Sequence, residues 1–201
     1  DWTDVARVSD RELWDTRSTM KGELVDEARR RTGLAGVLDP EALTIGFARR
    51  VPTYKRLTLM LHDPDRLRAL LTHPDRPVQL VIAGKSHPAD DSGKALIQKL
   101  VKFAAEPELR RRIVFLPNYD IGMARLLYPG TDIWLNNPLR PLEACGTSGM
   151  KAALNGSLNL SILDGWWNEY YDAENGWAIA TADAAGDGAE RDTLEAESMY
   201  D

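Results

Sequence analysis

The sequence predicts an α/β fold with a doubly wound, parallel, Rossmann-like sheet. Short apolar segments of strand length alternate with longer segments whose apolar residues recur at helical spacing. A polar or glycine-containing turn follows each apolar segment, as expected of successive strand–helix units. At 201 residues, with 43% hydrophobic and 28% charged residues, the chain is large enough for one substantial globular core.

The predicted elements begin with a long helix. Ser9 and Glu12 have the spacing of a capping box, and the helix after them should end near Thr32, where Gly33 suits a C-terminal cap. Apolar runs predict strands at residues 42–48, 78–83, 113–116, 133–135, 158–163 and 177–180. Helices are predicted at residues 54–71, 93–105 and 120–127, then around Lys151, and again from about Thr193.

Composition excludes several classes of protein and site. No apolar run has the length of a membrane span, and DWTDVARVSD does not have the form of a signal peptide. The single cysteine excludes an intrachain disulfide and favours a reducing compartment, so a cytoplasmic location is expected. The net charge of −6 argues against nucleic acid as a partner. The three histidines are too scattered to predict a metal site.

The acidic charge is concentrated at the end of the chain. Residues 181–201 contain seven acidic residues and one arginine, which leaves 24 charges of each sign in the rest. A neutral body with local clusters of cations is compatible with a phosphorylated or sugar-like ligand. The last residues, EAESMYD, continue a helical pattern, so we expect this chain to be a piece of a longer protein.

Polar and glycine residues follow the predicted strands directly. Ligands of doubly wound sheets bind outside the carboxyl ends of the strands, so these turns should converge on one face. Cations follow the first strand, and a glycine-rich turn precedes the Lys151 helix, which together suggest two anion sites. The residues of this edge are Arg49, Arg50, Lys55, Gly84, Lys85, Asn118, Tyr119, Asn136, Asn137, Asp164 and Gly165.

The stretch from Leu142 to Glu169 is the most unusual part of the sequence. In the turn Gly146-Thr147-Ser148-Gly149, the hydroxyl of Thr147 or Ser148 is predicted to cap the next helix. Lys151 would then lie in the first helical turn, at the unfavourable end of the helix dipole, which makes it a functional candidate. The alternative interpretation is an ordinary surface lysine beside a helix cap.

Other residues of the edge also have ordinary interpretations. Arg49, Arg50 and Lys55 could solvate a loop, and Glu143 could be a helix N-terminal charge rather than a hydrogen-bond acceptor for sugar hydroxyls. Cys145 is expected to be a small buried residue of the turn, not a nucleophile. Trp166 and Trp167 are expected to be packing residues.

Three segments, in this order, resemble one enzyme family. GFARRVPTYKR resembles the basic loop of the α-glucan (glycogen, starch and maltodextrin) phosphorylases, and VFLPNYDIGMARLLYPGTDIWLNNP resembles a later segment of them. EACGTSGMKAALNGSLNLSILDGWW resembles their cofactor-lysine segment. The resemblance covers residues 2–183, and the ending DGWWNE is similar to the shorter bacterial branch.

The resemblance implies the C-terminal, Rossmann-like half of a GT-B glycosyltransferase fold. We accordingly divide the chain into an N-terminal helical segment (1–36), a cofactor- and phosphate-binding domain (37–183) and an acidic linker with the start of a truncated helix (184–201). The missing N-terminal domain of the same enzyme would be its partner, and the fragment alone should be inactive. A homo-oligomer of the full-length protein is left open.

The resemblance also implies a pyridoxal 5′-phosphate-dependent glycosyltransferase that releases glucose 1-phosphate from the non-reducing ends of α-glucans with inorganic phosphate. Lys151 would carry the cofactor, and the cofactor phosphate would act through the substrate phosphate as its acid–base partner. The implied cofactor-binding residues are Lys151, Gly146, Thr147, Arg49, Lys55 and Tyr119. The implied substrate-binding residues are Glu143, Cys145, Gly146 and Arg50, and the implied catalytic residues are Lys55, Arg50 and Lys151.

Two departures from the family's pattern bear on these assignments. Many relatives have lysine at the position of Arg49, so the charge is kept while its geometry differs. Many have serine at Cys145, and a thiol makes a weaker hydrogen bond with a sugar.

Two other interpretations of the function stay open. A PLP-free glycosyltransferase half that uses nucleotide sugars would not need the GTSGMK lysine, and a non-catalytic sugar- or nucleotide-binding Rossmann module would bind its ligand without covalent attachment.

Overall fold

The computed structural model describes residues 2–50, 55–185 and 188–201. Its helices, beside short 3-10 turns at Trp2–Arg7 and Leu59–Leu61, are α1 (Asp10–Thr32), α2 (Pro64–Leu71), α3 (Asp91–Ala104), α4 (Ile121–Gly130), α5 (Thr147–Leu154), α6 (Trp167–Tyr170) and α7 (Gly188–Tyr200). Its strands are β1 (Leu43–Arg50), β2 (Val78–Lys85), β3 (Ile113–Pro117), β4 (Ile133–Asn136), β5 (Leu158–Ile162) and β6 (Gly176–Ile179).

The six strands form one parallel sheet in the order β3-β2-β1-β4-β5-β6. This is the order of the Rossmann fold, in which the direction of winding reverses between the first and fourth strands. The predicted fold class, a doubly wound parallel sheet, is therefore confirmed. The strands are largely apolar because helices pack against both faces of the sheet.

Helices cover both faces of the sheet and enclose two apolar cores. One core joins α1, α4 and α5 to the sheet and includes Leu24, Leu127 and Trp134. The other includes Leu71, Leu100 and Ile162. The end of α7 packs against this second core through Met199 and Tyr200. The described helices include none that is long and apolar enough to cross a membrane.

Two predicted helices differ from the observed ones. The helix expected at 54–71 is reduced to a 3-10 turn and α2, because Asp63 caps a new helix by accepting from Arg66 N at 2.9 Å and Pro64 suits its first position. Tyr54, its expected start, lies outside the described residues. The last helix begins at Gly188, before the expected Thr193. The proposed division into three segments stays a prediction.

Candidate functional site

The carboxyl ends of β1 and β4 flank the point where the winding of the sheet reverses. In the described sheet the two strands pair only at Ile45–Ile133 and Gly46–Trp134, although β1 continues to Arg50. A side chain at Gly46 would come within 2.6 Å of Thr131, so glycine permits this close approach. Beyond the last pair the strands are no longer hydrogen-bonded to each other, and polar side chains from several loops enter the crevice.

Four buried charged residues form the centre of this crevice, and we call them the buried ion cluster: Arg49, Lys55, Glu143 and Asp164. Arg49 Nη1 lies 3.2 Å from Glu143 Oε2, and Lys55 Nζ contacts the same oxygen. Asp164 Oδ2 accepts a hydrogen bond from the Glu143 backbone N–H at 3.0 Å. The Glu143 carboxylate is therefore shared by two cations about 90 positions away, and Asp164 holds the backbone beside it.

The electrostatics of the cluster act on Lys55. Burial lowers the pKa of the Lys55 ammonium below its usual value, and the positive charge of Arg49 lowers it further. The carboxylates of Glu143 and Asp164 oppose this shift. The pKa of Lys55 is thus set by its burial and by opposing contributions from Arg49 and the two carboxylates.

Lys151 lies beside the cluster on the wall of an open cleft. Its Nζ is 6.0 Å from the centre of the Tyr128 ring, and the Tyr128 hydroxyl is 3.0 Å from that of Tyr119. The cleft has a volume of about 680 Å³ and is lined by Lys85, Ser86, His87, Pro88, Asp90, Tyr119, Asp120, Ile121, Ala124, Tyr128 and Lys151. Burial and then the Tyr119 hydrogen bond raise the pKa of Tyr128, whereas the nearby charge of Arg49 lowers it. Tyr128 therefore contacts Lys151 and lies near enough to Arg49 for that charge to act on its hydroxyl.

The glycine-rich turn differs from the prediction in its capping. Gly146 is the N-cap of α5, with a left-handed backbone (φ 85°), and no side chain caps the helix. The expected cap by Thr147 or Ser148 is wrong, because the helix already begins at Thr147. The expected place of Lys151 in the first turn is also wrong, since it lies in the last turn of the eight-residue helix. The helix dipole favours a lysine in the last turn of a helix. Lys151 is therefore distinguished by its place in the cleft and not by an unfavourable position in its helix.

Close packing fixes the shape of this turn. Gly165 has φ 55°, and a Cβ there would lie 2.4 Å from the Cys145 carbonyl oxygen. A Cβ on Gly149 would lie 2.7 Å from Asn159 Oδ1 and 2.9 Å from Trp166 Nε1. Only glycine fits either position without movement of its neighbours. Trp166 also donates its backbone N–H to Cys145 O at 2.8 Å, which ties the two segments together.

The packing predicted for the two tryptophans is observed, whereas the burial predicted for Cys145 is not. Trp167 is buried with 1% of its surface exposed, and its ring lies 5.2 Å from that of Trp166, so the expected packing role is confirmed. Cys145 is exposed, and the expectation of a buried cysteine is wrong. Its Sγ lies 3.8 Å from Met150 Sδ.

The structure brings most of the predicted site residues to this edge. Arg49, Lys55 and Glu143 share one cluster, Gly146 and Thr147 begin the helix of Lys151, and Tyr119 lines the Lys151 cleft. The side chain of Arg50 lies outside what the structure describes, so its predicted role stays a prediction. Asn136 and Asn137 are buried and bonded inward, to Ser161 Oγ at 3.0 Å and Arg56 O at 3.3 Å.

Sequence reasoning missed three residues of the site. Tyr128 stands at the end of a helix, where no local pattern marks it as a neighbour of Lys151. Arg56 follows Lys55, yet its contacts are with residues about 80 and about 140 positions away. Asn159 lies in the apolar run of β5, and a buried amide within a strand was the one available signal. Within the described residues, no group of three or more His, Cys, Asp or Glu side chains could hold a metal ion.

Comparison with known proteins decides the family. A sequence profile described as carbohydrate phosphorylase matches residues 6–173. The chain belongs to the carbohydrate phosphorylase family. The glycogen phosphorylase of Mycobacterium tuberculosis is 59% identical over 215 residues, which cover 100% of this chain and 25% of that protein. The maltodextrin phosphorylase of Thermococcus litoralis is 44% identical over 209 residues, 99% of this chain and 25% of that protein.

A third carbohydrate phosphorylase, the glycogen phosphorylase of Aquifex aeolicus, is 44% identical over 214 residues, 99% of this chain and 30% of that protein. The family suggested by the three sequence segments is thereby confirmed. This member of the carbohydrate phosphorylase family spans about a quarter of the length of the Mycobacterium and Thermococcus relatives.

Proposed function

We propose that the chain is part of an α-1,4-glucan phosphorylase, which releases glucose 1-phosphate from the non-reducing ends of α-glucans with inorganic phosphate. One observation carries the proposal: in a member of the carbohydrate phosphorylase family, Lys151 lines an open cleft beside the buried ion cluster, which contains the cations Arg49 and Lys55. Such a cluster suits a reaction that brings phosphate groups into a site partly shielded from water.

The residues around Lys151 fit pyridoxal 5′-phosphate. The cleft of about 680 Å³ is within the usual range for a cofactor site, and Tyr119 and Tyr128 supply aromatic walls. The first turn of α5 has no side-chain cap, so its backbone N–H groups can serve a phosphate. Gly146 and Thr147 would hold that phosphate, and Lys151 would attach the cofactor.

The charged residues of the site would bind the phosphates and the sugar. Arg49 and Lys55 would stabilise the negative charge of the phosphates, together with Arg50, the proposed ligand of the substrate phosphate. Glu143, which pairs with Arg49 and Lys55, would accept hydrogen bonds from sugar hydroxyls. Cys145 and Gly146 would lie beside the glucosyl unit. When bound, the cofactor would supply a phosphate group able to exchange protons with the substrate phosphate.

The proposal extends to the parts of the enzyme that this chain lacks. We infer a GT-B architecture in which a second domain closes over the edge that carries Lys151 and grips the glucan. The 201 residues alone should therefore be inactive. The expected compartment is the cytoplasm, in keeping with the single cysteine.

Reductive labelling tests the assignment of Lys151. The full-length protein is incubated with pyridoxal phosphate, reduced with borohydride and mapped by peptide mass, and glucose 1-phosphate release from glycogen is measured in parallel. We expect label at Lys151 and phosphorolysis, both lost in Lys151→Arg. Label scattered over surface lysines, with the Lys151 peptide unmodified, would contradict the proposal and favour a PLP-free transferase or a sugar-binding module.

A further inference from the structure

Arg56 connects two loops of the candidate site. Its side chain is buried, its Nε donates to Asn137 O at 3.0 Å, and its Nη2 donates to Pro138 O at 2.9 Å. In return, Asn137 Nδ2 donates to Arg56 O at 3.3 Å. Arg56 has a left-handed backbone (φ 47°), a conformation that a non-glycine residue keeps only where its surroundings hold it.

The charge of Arg56 is matched by α7. Arg56 Nη2 lies 2.5 Å from Glu195 Oε2, and Arg56 Nη1 lies 2.9 Å from Asp192 Oδ1. Glu195 is fully buried, and its other oxygen accepts from Ala182 N at 3.0 Å and from Arg191 Nε at 2.8 Å. A buried carboxylate in an apolar setting is costly unless it is paired in this way. Part of the acidic end of the chain is thus a fixed component of the fold.

The Arg56 network joins the two loops that carry Lys55 and Glu143. Arg56 directly follows Lys55, and the carbonyls of Asn137 and Pro138 belong to the loop that leads to Glu143. Lys55 and Glu143 contact each other, so the Arg56 side chain ties together the two segments that carry the partners of that ion pair. A planar guanidinium spreads five N–H donors over a rigid fork, which suits two carbonyls and a carboxylate at once better than the three donors of a compact ammonium group.

We infer that Arg56 and Glu195 are positioning residues: through them, α7 holds Lys55 against Glu143 and so shapes the phosphate site. The inference rests on the proposed function, because the phosphate site is proposed there. The described bonds of the two side chains go to each other, to backbone atoms and to α7, rather than to Lys55 or Glu143. If the network only stabilised the fold, its alteration would change stability without changing the surroundings of Lys55.

Three single substitutions in the full-length protein separate these roles. Glu195→Gln removes the buried carboxylate. Glu197→Gln is its matched control, because it makes the same substitution at an exposed position of the same helix. Arg56→Lys keeps the positive charge opposite Glu195 but loses the fork that holds two carbonyls. It should therefore keep the fold even if Glu195→Gln does not.

Two measurements are made on folded protein, after melting curves have fixed a common temperature. The first is the pH profile of competitive chemical labelling of Lys55, read by peptide mass; the second is the KM for inorganic phosphate in phosphorolysis. For Arg56→Lys and Glu195→Gln we expect the apparent pKa of Lys55 to move up towards that of an ordinary lysine, because release of the loop restores solvent. The KM for phosphate should rise about tenfold, with a smaller change in kcat. Glu197→Gln should match the wild type in both.

The two readouts have separate failures. An unchanged Lys55 profile in folded Arg56→Lys overturns the positioning role, whatever the activity. A wild-type protein that shows no phosphorolysis overturns the proposed function, while a shifted Lys55 profile in Arg56→Lys would still support the link between α7 and the ion pair. A lower melting temperature with unchanged Lys55 and KM would mean a structural role only.

Discussion

The Nζ of Lys151 lies 6.0 Å from the centre of the Tyr128 ring. The same ring lies 4.7 Å from that of Trp134 in the core, so a wall of the cleft is anchored to the sheet. An ammonium group over an aromatic face is stabilised by about 0.5–1 kcal/mol at an exposed site. The ring therefore both supports the cleft and limits where the Lys151 side chain can lie.

Tyr128 variants should separate the ring from its hydroxyl. Tyr128→Phe loses the 3.0 Å contact with the Tyr119 hydroxyl, at a cost of about 1 kcal/mol, and should leave Lys151 the chief site of pyridoxal phosphate labelling. Tyr128→Ala also removes the buried ring, at a cost of about 3–5 kcal/mol, and should lower the selectivity for Lys151. Denaturant unfolding and peptide mapping measure both effects. Equal selectivity in the two variants would contradict the role of the ring.

Gly165 is expected to be intolerant of a side chain. Gly165→Ala places a Cβ 2.4 Å from the Cys145 carbonyl at a left-handed backbone, so we expect a loss of about 2–3 kcal/mol in the free energy of unfolding. Gly22→Ala is the control, since nothing lies within 4 Å of its Cβ within α1, and it should stabilise by about 0.5–1 kcal/mol. Thermal or denaturant unfolding measures both changes in the free energy of unfolding. If the two changes had the same sign, the close packing around Gly165 would be contradicted.

Glu143 should control both the stability of the buried ion cluster and the pKa of Lys55. Glu143→Gln leaves two buried cations without their shared carboxylate, so we expect a loss of about 3 kcal/mol. Because Glu143 raises the pKa of Lys55, its removal should lower that pKa further and shift Lys55 labelling to lower pH. Glu169→Gln, an exposed change of the same kind, should do neither. A rise in the Lys55 pKa of folded Glu143→Gln would contradict the electrostatic account.

The fold was predictable because its signals are local. Alternating strand and helix lengths gave the parallel sheet, and Ser9, Glu12 and Gly33 gave both ends of α1, whose capping box and left-handed C-cap are observed. The helix expected at residues 54–71 was wrong where local capping at Asp63 competed with the apolar pattern. In that segment the leucines serve two separate short helices.

The site was predictable only in its location. The rule for parallel sheets brings the loops together without stating which side chains touch. The contact of Arg49 and Lys55 with Glu143 joins residues about 90 positions apart, and nothing local shows that the cations meet a carboxylate. The same holds for Arg56 and Glu195, whose pairing depends on where α7 docks. The sequence predicted an acidic linker and the start of a helix in the terminal segment, but nothing in it indicated that Glu195 is buried against Arg56.

Glu27 should make the stability of α1 depend on pH in the acidic range. Its carboxylate accepts from Arg30 Nε at 2.7 Å and from Arg31 Nε at 2.6 Å, and these hydrogen bonds lower its pKa to about 2 from 4.5. Since the pKa is lower in the folded state, the unfolded chain takes up the proton first as the pH falls. The stabilisation is therefore complete above about pH 4.5 and disappears as the pH approaches 2. Screening at the surface reduces it to about 1 kcal/mol.

Comparison of Glu27→Gln with the wild type measures this contribution directly. The difference in the free energy of unfolding should be about 1 kcal/mol near neutral pH and should narrow steadily below about pH 4.5. Glu23→Gln, at an exposed position of the same helix, is the matched control and should show no such narrowing. High salt should shrink the Glu27 difference because exposed ion pairs are screened. A difference that grows as the pH falls would mean that the folded state, not the unfolded chain, binds the proton more tightly at Glu27.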